Sequence, residues 1–432
     1  MKKSLLTIVS IVIAIAVAAC MLTVFVGCDK GNNNAQPQEV VLPAYEVEGG
    51  DYSSLQIPAT FKIGLICLHD ENSTYDKNFI DAMKEVQREF GLTTDQVKIA
   101  SGVPENDQCY AKACELAEAG CKVIIADSFD HENFMMQAAE RYSDVIFAHA
   151  TGTQAHTSEL PNFVNAFASI YEGRYLAGVA AGLKLKEMIA NGVKIKGQTV
   201  TANSKVGYVG AYPYAEVKSG YTSWFLGLRS VEGLENITME VQFTSDWYNY
   251  DKEYNAASNL IQRGCVLISQ HADSMGAPNA CEEAGVPNVS YNGSTFEACP
   301  DTFLVSSRIN WAPYYKYLIA CAVNGEAPVK DYTGTIATGS VELTNLGAAC
   351  AAGTVDQIVT IRQELALGRR HVFDTSKFTV GGEHLTEYLA DVDTDPAWTA
   401  DTNVIHDGYF DESFFRAAPY FDINIDGITL LN

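Results

Sequence analysis

Residues 61–91 read FKIGLICLHDENSTYDKNFIDAMKEVQREFG. The first eight residues are mainly apolar and predict a strand over 61–68. Apolar residues then recur at helical spacing from Phe79 to Phe90, and Gly91 follows as a helix stop. Because a strand followed by a helix of this length is the first half of a βαβ unit, this stretch predicts a parallel sheet with helices on its faces.

The same alternation continues along most of the chain. Further strands are predicted over 97–100, 123–126 and 145–149, and helices over 106–119 and 133–141. A second series follows, with helices over 171–186, 217–230, 250–263 and 278–284 and strands over 206–210, 239–243, 266–269 and 289–291. Two consecutive units of similar size predict an α/β fold of two lobes, each a parallel sheet flanked by helices, with a ligand in the cleft between the lobes.

The N-terminus has the pattern of an export signal. Lys2 and Lys3 are followed by a long apolar run, and a small residue precedes Cys28. This pattern is typical of a bacterial lipoprotein, so residues 1–28 are interpreted as a signal peptide and Cys28 as the lipidation site. Cys20 also fits the local pattern, and an uncleaved transmembrane anchor is the alternative interpretation.

Residues 29–60 are predicted to form a flexible tether. They are rich in Asn, Gln, Gly, Pro and acidic residues and show no apolar periodicity. The body of the protein is therefore expected at the extracytoplasmic face of the cell membrane, anchored through an N-terminal lipid.

Composition excludes two classes of protein. The 432 residues include 53 acidic and 29 basic side chains, a net charge of −24, which makes nucleic acid an unfavourable partner. Hydrophobic residues make up 47% of the chain, which excludes disorder throughout. Nine cysteines follow Cys28, and we expect buried free thiols because the chain has no Cys-x-x-Cys motif.

Motifs of the common enzyme classes are absent from the sequence. It has no Gly-x-Ser-x-Gly elbow, no phosphate loop of the Gly-x-x-x-x-Gly-Lys type and no Gly-x-Gly-x-x-Gly fingerprint. His271, Asp273 and Ser274 adjoin one another, but neighbours in one loop rarely form a catalytic triad. The chain is therefore predicted not to be an enzyme and to use no cofactor.

No metal site is predicted either, since the histidines lack zinc-site spacing. Two acidic strings resemble calcium loops. Asp391–Asp395 is followed by Pro396 where the turn needs Gly, and the chain ends before the string at 422–427 reaches a Glu ligand. The Asp-Gly pair that closes the second string is interpreted instead as the turn of a terminal β-hairpin.

The loops that follow the predicted strands are where a ligand is expected, because the carboxyl ends of parallel strands meet at one edge of the sheet. They span 69–78, 127–130, 211–213, 270–274 and 292–294. Aromatic rings in these loops can stack on a planar heterocycle, and their carboxylates and amides can accept hydrogen bonds from hydroxyls. A flat, polar small molecule is therefore the expected ligand.

Several segments carry a family resemblance. The chain resembles the basic membrane protein family of bacterial lipoproteins, the substrate-binding components of ABC importers that include purine nucleoside receptors. The Tyr-Glu-Gly-Arg-Tyr-Leu-Ala-Gly helix and the Gln-His-Ala-Asp-Ser loop are the most specific matches. The matching segments are 73–79, 149–152, 171–182, 205–209, 247–248, 268–274 and 310–315.

The resemblance implies a type I periplasmic-binding-protein fold, in which the chain crosses between the lobes three times and finishes on the second. It divides the chain into lobe 1, residues 61–162 with 292–325, and lobe 2, residues 163–291 with 326–432. It also implies closure of the lobes around a small molecule and delivery to the permease and ATPase of an importer. A receptor lipoprotein that signals to a membrane partner is the alternative function.

The resemblance further implies how the ligand is held. Family members that bind nucleosides sandwich the base between two aromatic rings, and the similar positions here are Tyr75 and Tyr221. An amide of the first loop reads the base; Asp76 stands at that position, with Asn78 nearby.

Residues further along the chain complete the implied site. A carboxylate after the third strand is similar to Asp127 or Asp130, and the ribose is usually met by an Asp where this chain has Asn292. A later basic residue is matched by Arg308. The candidate ligand-binding residues are Tyr75, Asp76, Asn78, Asp127, Asp130, Tyr221, Asp273, Asn292 and Arg308, and the predicted ligand is a purine nucleoside.

Overall fold

The computed structural model describes residues 37–393, 397 and 399–432 of the chain. The predicted signal peptide with Cys20 and Cys28, residues 29–36 of the predicted tether, and Asp395 with Pro396 of the first acidic string lie outside these residues. Within the described part, none of the helices is both long enough and apolar enough to cross a membrane.

Helices and strands alternate over the body of the chain, as predicted. The helices are α1 (Thr74–Glu89), α2 (Asp107–Glu118), α3 (Glu132–Arg141), α4 (Ile170–Ala190), α5 (Ala215–Arg229), α6 (Tyr250–Gln262), α7 (Gly276–Ala284), α8 (Ala312–Asn324) and α9 (Thr354–Ala366). The strands are β1 (Lys62–Ile66), β2 (Val97–Ala100), β3 (Cys121–Ala126), β4 (Ile146–Ala150), β5 (Phe163–Ala168), β6 (Lys194–Ile195), β7 (Gln198–Thr199), β8 (Lys205–Gly210), β9 (Thr238–Phe243), β10 (Cys265–Gln270), β11 (Asn288–Tyr291), β12 (Phe303–Ile309), β13 (Asp331–Gly334), β14 (Val341–Leu343), β15 (Leu389–Ala390), β16 (Thr402–Asn403), β17 (Ile405–His406), β18 (Tyr409–Phe410) and β19 (Ile428–Leu430).

Two large sheets form the centres of the two lobes, which confirms the predicted α/β fold. Sheet 1 has six strands in the order β13-β5-β4-β3-β1-β2, and all of its pairs are parallel. Sheet 2 has seven strands in the order β14-β12-β11-β10-β8-β9-β19, and only β14 runs antiparallel to its neighbour. Buried apolar side chains from the strands and flanking helices fill both lobes.

The chain crosses between the sheets three times, as the resemblance implied, but each crossing lies further along the chain than predicted. The crossings follow β5, β12 and β13. Consequently Phe163–Ala168 and Asp331–Gly334 belong to sheet 1, and Phe303–Ile309 belongs to sheet 2. Alternation of apolar residues locates a strand but does not say which sheet it joins, so the predicted divisions at 162, 291 and 325 differ from the observed ones.

Helices α4 and α5 pack with their backbones in contact, and glycines make this approach possible. A Cβ atom on Gly178 would overlap the carbonyl oxygen of Trp224, and one on Gly227 would overlap that of Tyr175. The glycines of the Tyr171–Gly182 motif therefore serve helix packing within lobe 2.

Residues 37–58 are not the free tether that was predicted, because they pack along the body. Glu39 accepts a hydrogen bond from Ser294 (2.8 Å), and the amide of Val40 donates to Leu346 (2.7 Å) in lobe 2. Further along, Pro58 accepts a hydrogen bond from Gln96 (3.3 Å) in lobe 1. We call residues 37–58 the N-terminal strap. Its apolar residues recur at neither a helical nor a strand period, so periodicity does not reveal a packed segment.

Tyr45 fixes the middle of the strap at the third crossing. Its hydroxyl lies 3.2 Å from the carbonyl oxygens of Ile336 and Val341, and the guanidinium of Arg362 lies 4.1 Å from the centre of its ring. The strap therefore contacts lobe 2, the crossing and lobe 1 in turn.

The C-terminus ends on sheet 2, as expected, but not as a hairpin. Ile428–Leu430 pairs in parallel with β9 and adds an edge strand to the sheet. The Asp426 carboxylate accepts hydrogen bonds from the amides of Gly381 (3.1 Å) and Gly382 (2.8 Å), so it fixes a distant turn instead of closing a hairpin.

The nine cysteines after Cys28 are free thiols, as predicted. Eight are buried, and Cys350 is half-buried. Six of them lie in helices or strands, and packing in the interior explains the burial without any covalent pairing.

Candidate functional site

A cavity lies between the lobes at the carboxyl ends of the central strands. Its empty space is about 440 Å³, including open solvent at its mouth. This position is the one expected for ligands of open parallel sheets. The lining residues are Leu68, His69, Tyr75, Asp76, Ser128, Phe129, Thr151, Glu216, Trp247, His271, Asp273, Tyr291 and Asn292.

The first wall of the cavity is the loop that leads into α1. Ser73 caps this helix, and its hydroxyl also donates to the Asp76 carboxylate at 2.6 Å. The same carboxylate accepts the backbone amide of His69 (2.7 Å), and the His69 ring nitrogen lies 3.4 Å away. Burial acts to raise the pKa of Asp76, but the hydrogen bonds from His69 and Ser73 outweigh it and leave the pKa below its usual value. Asp76 is therefore an ionised acceptor at neutral pH.

Tyr75 projects beside Asp76 and connects the loop to the end of β3. Its hydroxyl donates to the carbonyl oxygen of Asp127 (2.8 Å), and its ring lies 5.0 Å from that of Phe79. The Asp127 carboxyl lies behind this wall and accepts the amide of Leu68 (3.1 Å). Burial, and then the nearby charge of Asp76, raises the pKa of Asp127 well above its usual value, which favours its protonated form.

The opposite wall comes from lobe 2 and combines aromatic rings with acidic side chains. Glu216 lies in the first turn of α5, and its Oε1 is 3.3 Å from Nε2 of His271. The His271 ring lies 4.7 Å from the ring of Tyr291 and 6.2 Å from that of Trp247. Burial lowers the pKa of His271, so its imidazole is neutral at pH 7.

A buried cation supports this wall from behind. The Arg174 guanidinium lies 4.4 Å from the centre of the Tyr291 ring and donates to the carbonyl oxygen of Gln270 (2.9 Å) and to the hydroxyl of Tyr208. Burial lowers the pKa of Arg174 to about 10, which still leaves it charged at neutral pH. Arg174 therefore offsets the charge of the carboxylates without lining the cavity itself.

Hydrogen bonds join the lobes at the edge of the cavity. The amide of Thr74 donates to the carbonyl oxygen of Asp273 (3.3 Å), and Asn78 Nδ2 lies 3.3 Å from Asn292 Oδ1. Asn292 in turn donates to the Asp273 carboxyl (3.0 Å) and has a φ of 67°, a conformation that Asn tolerates better than most residues. Burial raises the pKa of Asp273 well above its usual value.

Four of the nine candidate ligand-binding residues line the cavity, and two more lie directly behind its walls. Tyr75, Asp76, Asp273 and Asn292 form part of the lining. Asn78 and Asp127 reach it only through their hydrogen bonds to Asn292 and Tyr75.

The other three candidates lie elsewhere. Tyr221 is buried within lobe 2, where its hydroxyl donates to Asn424 (3.3 Å), because its face of α5 packs against the sheet. Arg308 lies on β12 and pairs with Glu342 of the neighbouring β14 at 3.0 Å. Asp130 is exposed on a short turn after β3.

Sequence reasoning did not select Glu216, Trp247, His271 or Tyr291 as binding residues, yet all four line the cavity. Trp247 and His271 lie in segments that carry the family resemblance, so a signal for them existed. Glu216 begins a helix and Tyr291 ends a strand, and neither position is marked by a motif.

Cys67, Asp76 and Asp127 form the one group of three side chains in the described part of the chain whose ligand atoms lie within 4.8 Å of one another. Asp76 already accepts hydrogen bonds from Ser73 and His69. Burial raises the pKa of Cys67 and of Asp127 well above their usual values, which favours their protonated forms. Because metal ligands must be deprotonated, this group does not favour a metal ion.

Comparison with known proteins identifies relatives over most of this body. The profile of the Bmp family, described as ABC transporter substrate-binding protein PnrA-like, matches residues 66–374. A Brucella abortus purine-binding protein is 30% identical over 257 residues, which cover 59% of this chain and 66% of that protein. A Haloferax volcanii protein assigned as an ABC transporter glucose-binding protein is 28% identical over 264 residues, which cover 61% of this chain and 62% of that protein. The chain thus spans slightly less than two thirds of the length of these relatives.

Solved structures support the same fold. An ABC transporter solute-binding protein from Conexibacter woesei superposes with a TM-score of 0.57 at 19% sequence identity. The match covers 72% of this chain and 98% of that protein. At this level of identity, the likeness concerns the two-lobed architecture alone.

Proposed function

Because the chain belongs to the Bmp family of PnrA-like ABC transporter substrate-binding proteins, we propose that it captures a purine nucleoside in the cleft between its lobes and delivers it to an importer. The observation that carries this proposal is the lining of the cavity. Tyr75 from lobe 1 faces the cavity together with Trp247 and Tyr291 from lobe 2, and these rings suit a planar base. The purine-binding relative from Brucella abortus supports the same ligand class.

The polar groups of the cavity favour a neutral ligand that donates hydrogen bonds. Asp76, Glu216 and Asp273 line it, whereas no lysine or arginine of the described chain does. A nucleoside offers hydroxyl and ring N–H donors to such acceptors. A nucleotide phosphate would have to approach the ionised Asp76, so the proposal extends to neutral nucleosides and not to nucleotides.

The proposed setting is the extracytoplasmic face of the cell membrane. Lys2, Lys3 and the apolar run before Cys28 support a signal peptide and lipidation at Cys28. The partners are then a permease and its ATPase, with the lipid as the membrane anchor. The nucleoside is bound and released without chemical change.

A thermal shift assay on the purified full chain in detergent tests the ligand. Adenosine, guanosine and inosine are compared with their 5′-monophosphates and with glucose, which is the ligand in the name of the Haloferax relative. We expect at least one purine nucleoside to raise the melting temperature and the monophosphates to leave it unchanged. A shift with glucose alone would refute the proposal. Native mass spectrometry of the same sample should recover the nucleoside with unchanged mass.

A further inference from the structure

The C-terminal segment, residues 399–432, lies beyond the residues that match the family profile and contacts both lobes. Its contacts with lobe 1 are made at β13, the edge strand of sheet 1. The amide of Ala417 donates to the Asp331 carboxylate at 2.9 Å, and the Thr333 hydroxyl donates to the carbonyl oxygen of Ser413 at 3.4 Å.

The contacts with lobe 2 are made at α5 and at the far edge of sheet 2. The Ser219 hydroxyl donates to the Glu412 carboxylate at 2.5 Å, and both side chains are buried. The Tyr221 hydroxyl donates to Asn424 at 3.3 Å, and Ile428–Leu430 pairs with β9.

Adjacent residues of the segment are therefore tied to different lobes. Glu412 is bound to lobe 2 through Ser219, and Ser413 is bound to lobe 1 through Thr333. Consecutive Cα atoms are about 3.8 Å apart, so this stretch has almost no slack. A rotation that separates the lobes must break one of these two attachments or deform the segment.

From these contacts we infer that the C-terminal segment is a non-covalent connection between the lobes that limits how far the cleft opens, in addition to the three chain crossings and the N-terminal strap. The chain crossings that it adds to follow β5, β12 and β13. Type I folds move as two bodies about such crossings, and a connection beside them restricts the rotation. This inference concerns the motion of the lobes and holds for any ligand.

Hydrogen exchange at Thr74 measures opening of the cleft. The Thr74 amide lies at the start of α1, where first-turn amides have no partner within the helix, and it donates across the cleft to Asp273. Its exchange rate in the full chain in detergent reports the fraction of time that the lobes are apart. Amides of β1, from Ile63 to Ile66, report unfolding of lobe 1 as a whole.

Two variants each remove one attachment, and each has a matched control. Ser219→Ala removes the hydroxyl that binds Glu412, and Ser223→Ala on the same helix removes only a bond to Gly220. Thr333→Val removes the bond to Ser413, and Thr379→Val removes a bond to Asp426 that joins neither lobe to the other.

We expect exchange at Thr74 to be about fivefold faster in Ser219→Ala, faster also in Thr333→Val, and fastest in the double variant. The β1 amides should exchange at the wild-type rate in every variant. In the two control variants, Thr74 should also exchange at the wild-type rate. Unchanged exchange at Thr74 in the double variant would overturn the inference. Equal acceleration at Thr74 and in β1 would also overturn it, since the segment would then stabilise the fold and not the closed cleft.

Discussion

The hydroxyl of Tyr75 donates a hydrogen bond of 2.8 Å to the backbone carbonyl of Asp127. The ring that faces the cleft is therefore fixed by this hydrogen bond as well as by its link to the backbone. We expect Tyr75→Ala to weaken binding of a purine nucleoside by about 1 to 3 kcal/mol, because a stacking ring is lost. Tyr75→Phe keeps the ring and should lose less than half of that. Isothermal titration calorimetry of both variants checks the order, and equal affinity for wild type and Tyr75→Ala would place the stacking contact elsewhere.

Substitution of a packing glycine should destabilise lobe 2. A Cβ atom on Gly178 would overlap the backbone of Trp224, so α4 and α5 must move apart in Gly178→Ala. We expect a loss of about 1 to 3 kcal/mol in the free energy of unfolding. Gly49→Ala is the control, because no atom lies within 4 Å of its added Cβ. Denaturant unfolding followed by circular dichroism measures both, and similar midpoints would contradict the packing argument.

Glu412 should make the protein less stable as the pH rises. Burial raises its pKa to about 7 from an ordinary value near 4.5, so the folded state holds its proton over a range where the unfolded state has released it. The favourable contribution is complete below the unfolded-state pKa and is lost as the pH rises towards 7. Over this range the cost is at most about 3 kcal/mol.

The variant Glu412→Gln removes this titration and keeps an acceptor for Ser219. Its melting temperature should therefore fall less than that of the wild type between pH 5 and pH 8. Glu172 and Glu253 also have pKa values raised to about 7, so the wild type and the variant share that part of the pH dependence. Parallel curves for the two proteins would show that Glu412 does not titrate in this range.

The cysteines should resist alkylation in the folded protein. Cys350 is half-buried, whereas the other eight described cysteines are buried, and burial raises the pKa of most of them. We expect iodoacetamide to modify Cys350 first, with the other eight reacting only in denaturant. Peptide mass spectrometry reads each site. A reductant should leave the melting temperature unchanged, and a fall would reveal a disulfide.

The bounds of individual strands could be predicted from the sequence better than the sheet that each strand joins. Val97–Ala100 was predicted with the observed bounds, because a short strand-like run between turn residues is a local signal. The sheet that Phe163–Ala168 joins depends on long-range pairing, which no local pattern encodes.

The candidate site shows the same limit. Four candidates taken from loops after strands, Tyr75, Asp76, Asp273 and Asn292, line the cavity. Tyr221 was chosen from a helix, and helical spacing alone does not tell which face of α5 turns towards the cleft. The hydroxyl of Tyr221 bonds to the C-terminal segment, which lies about 200 residues further along the chain.

The N-terminal strap determines how mechanical load would enter the protein. Tension along the chain from its N-terminal side meets Glu39 and Val40 first, and these residues are attached to Ser294 and Leu346 of lobe 2. The contact between Tyr45 and Arg362 is the next attachment along the strap to bear this tension. Lobe 2 is therefore the stationary body under such a load, and lobe 1 is the part that swings.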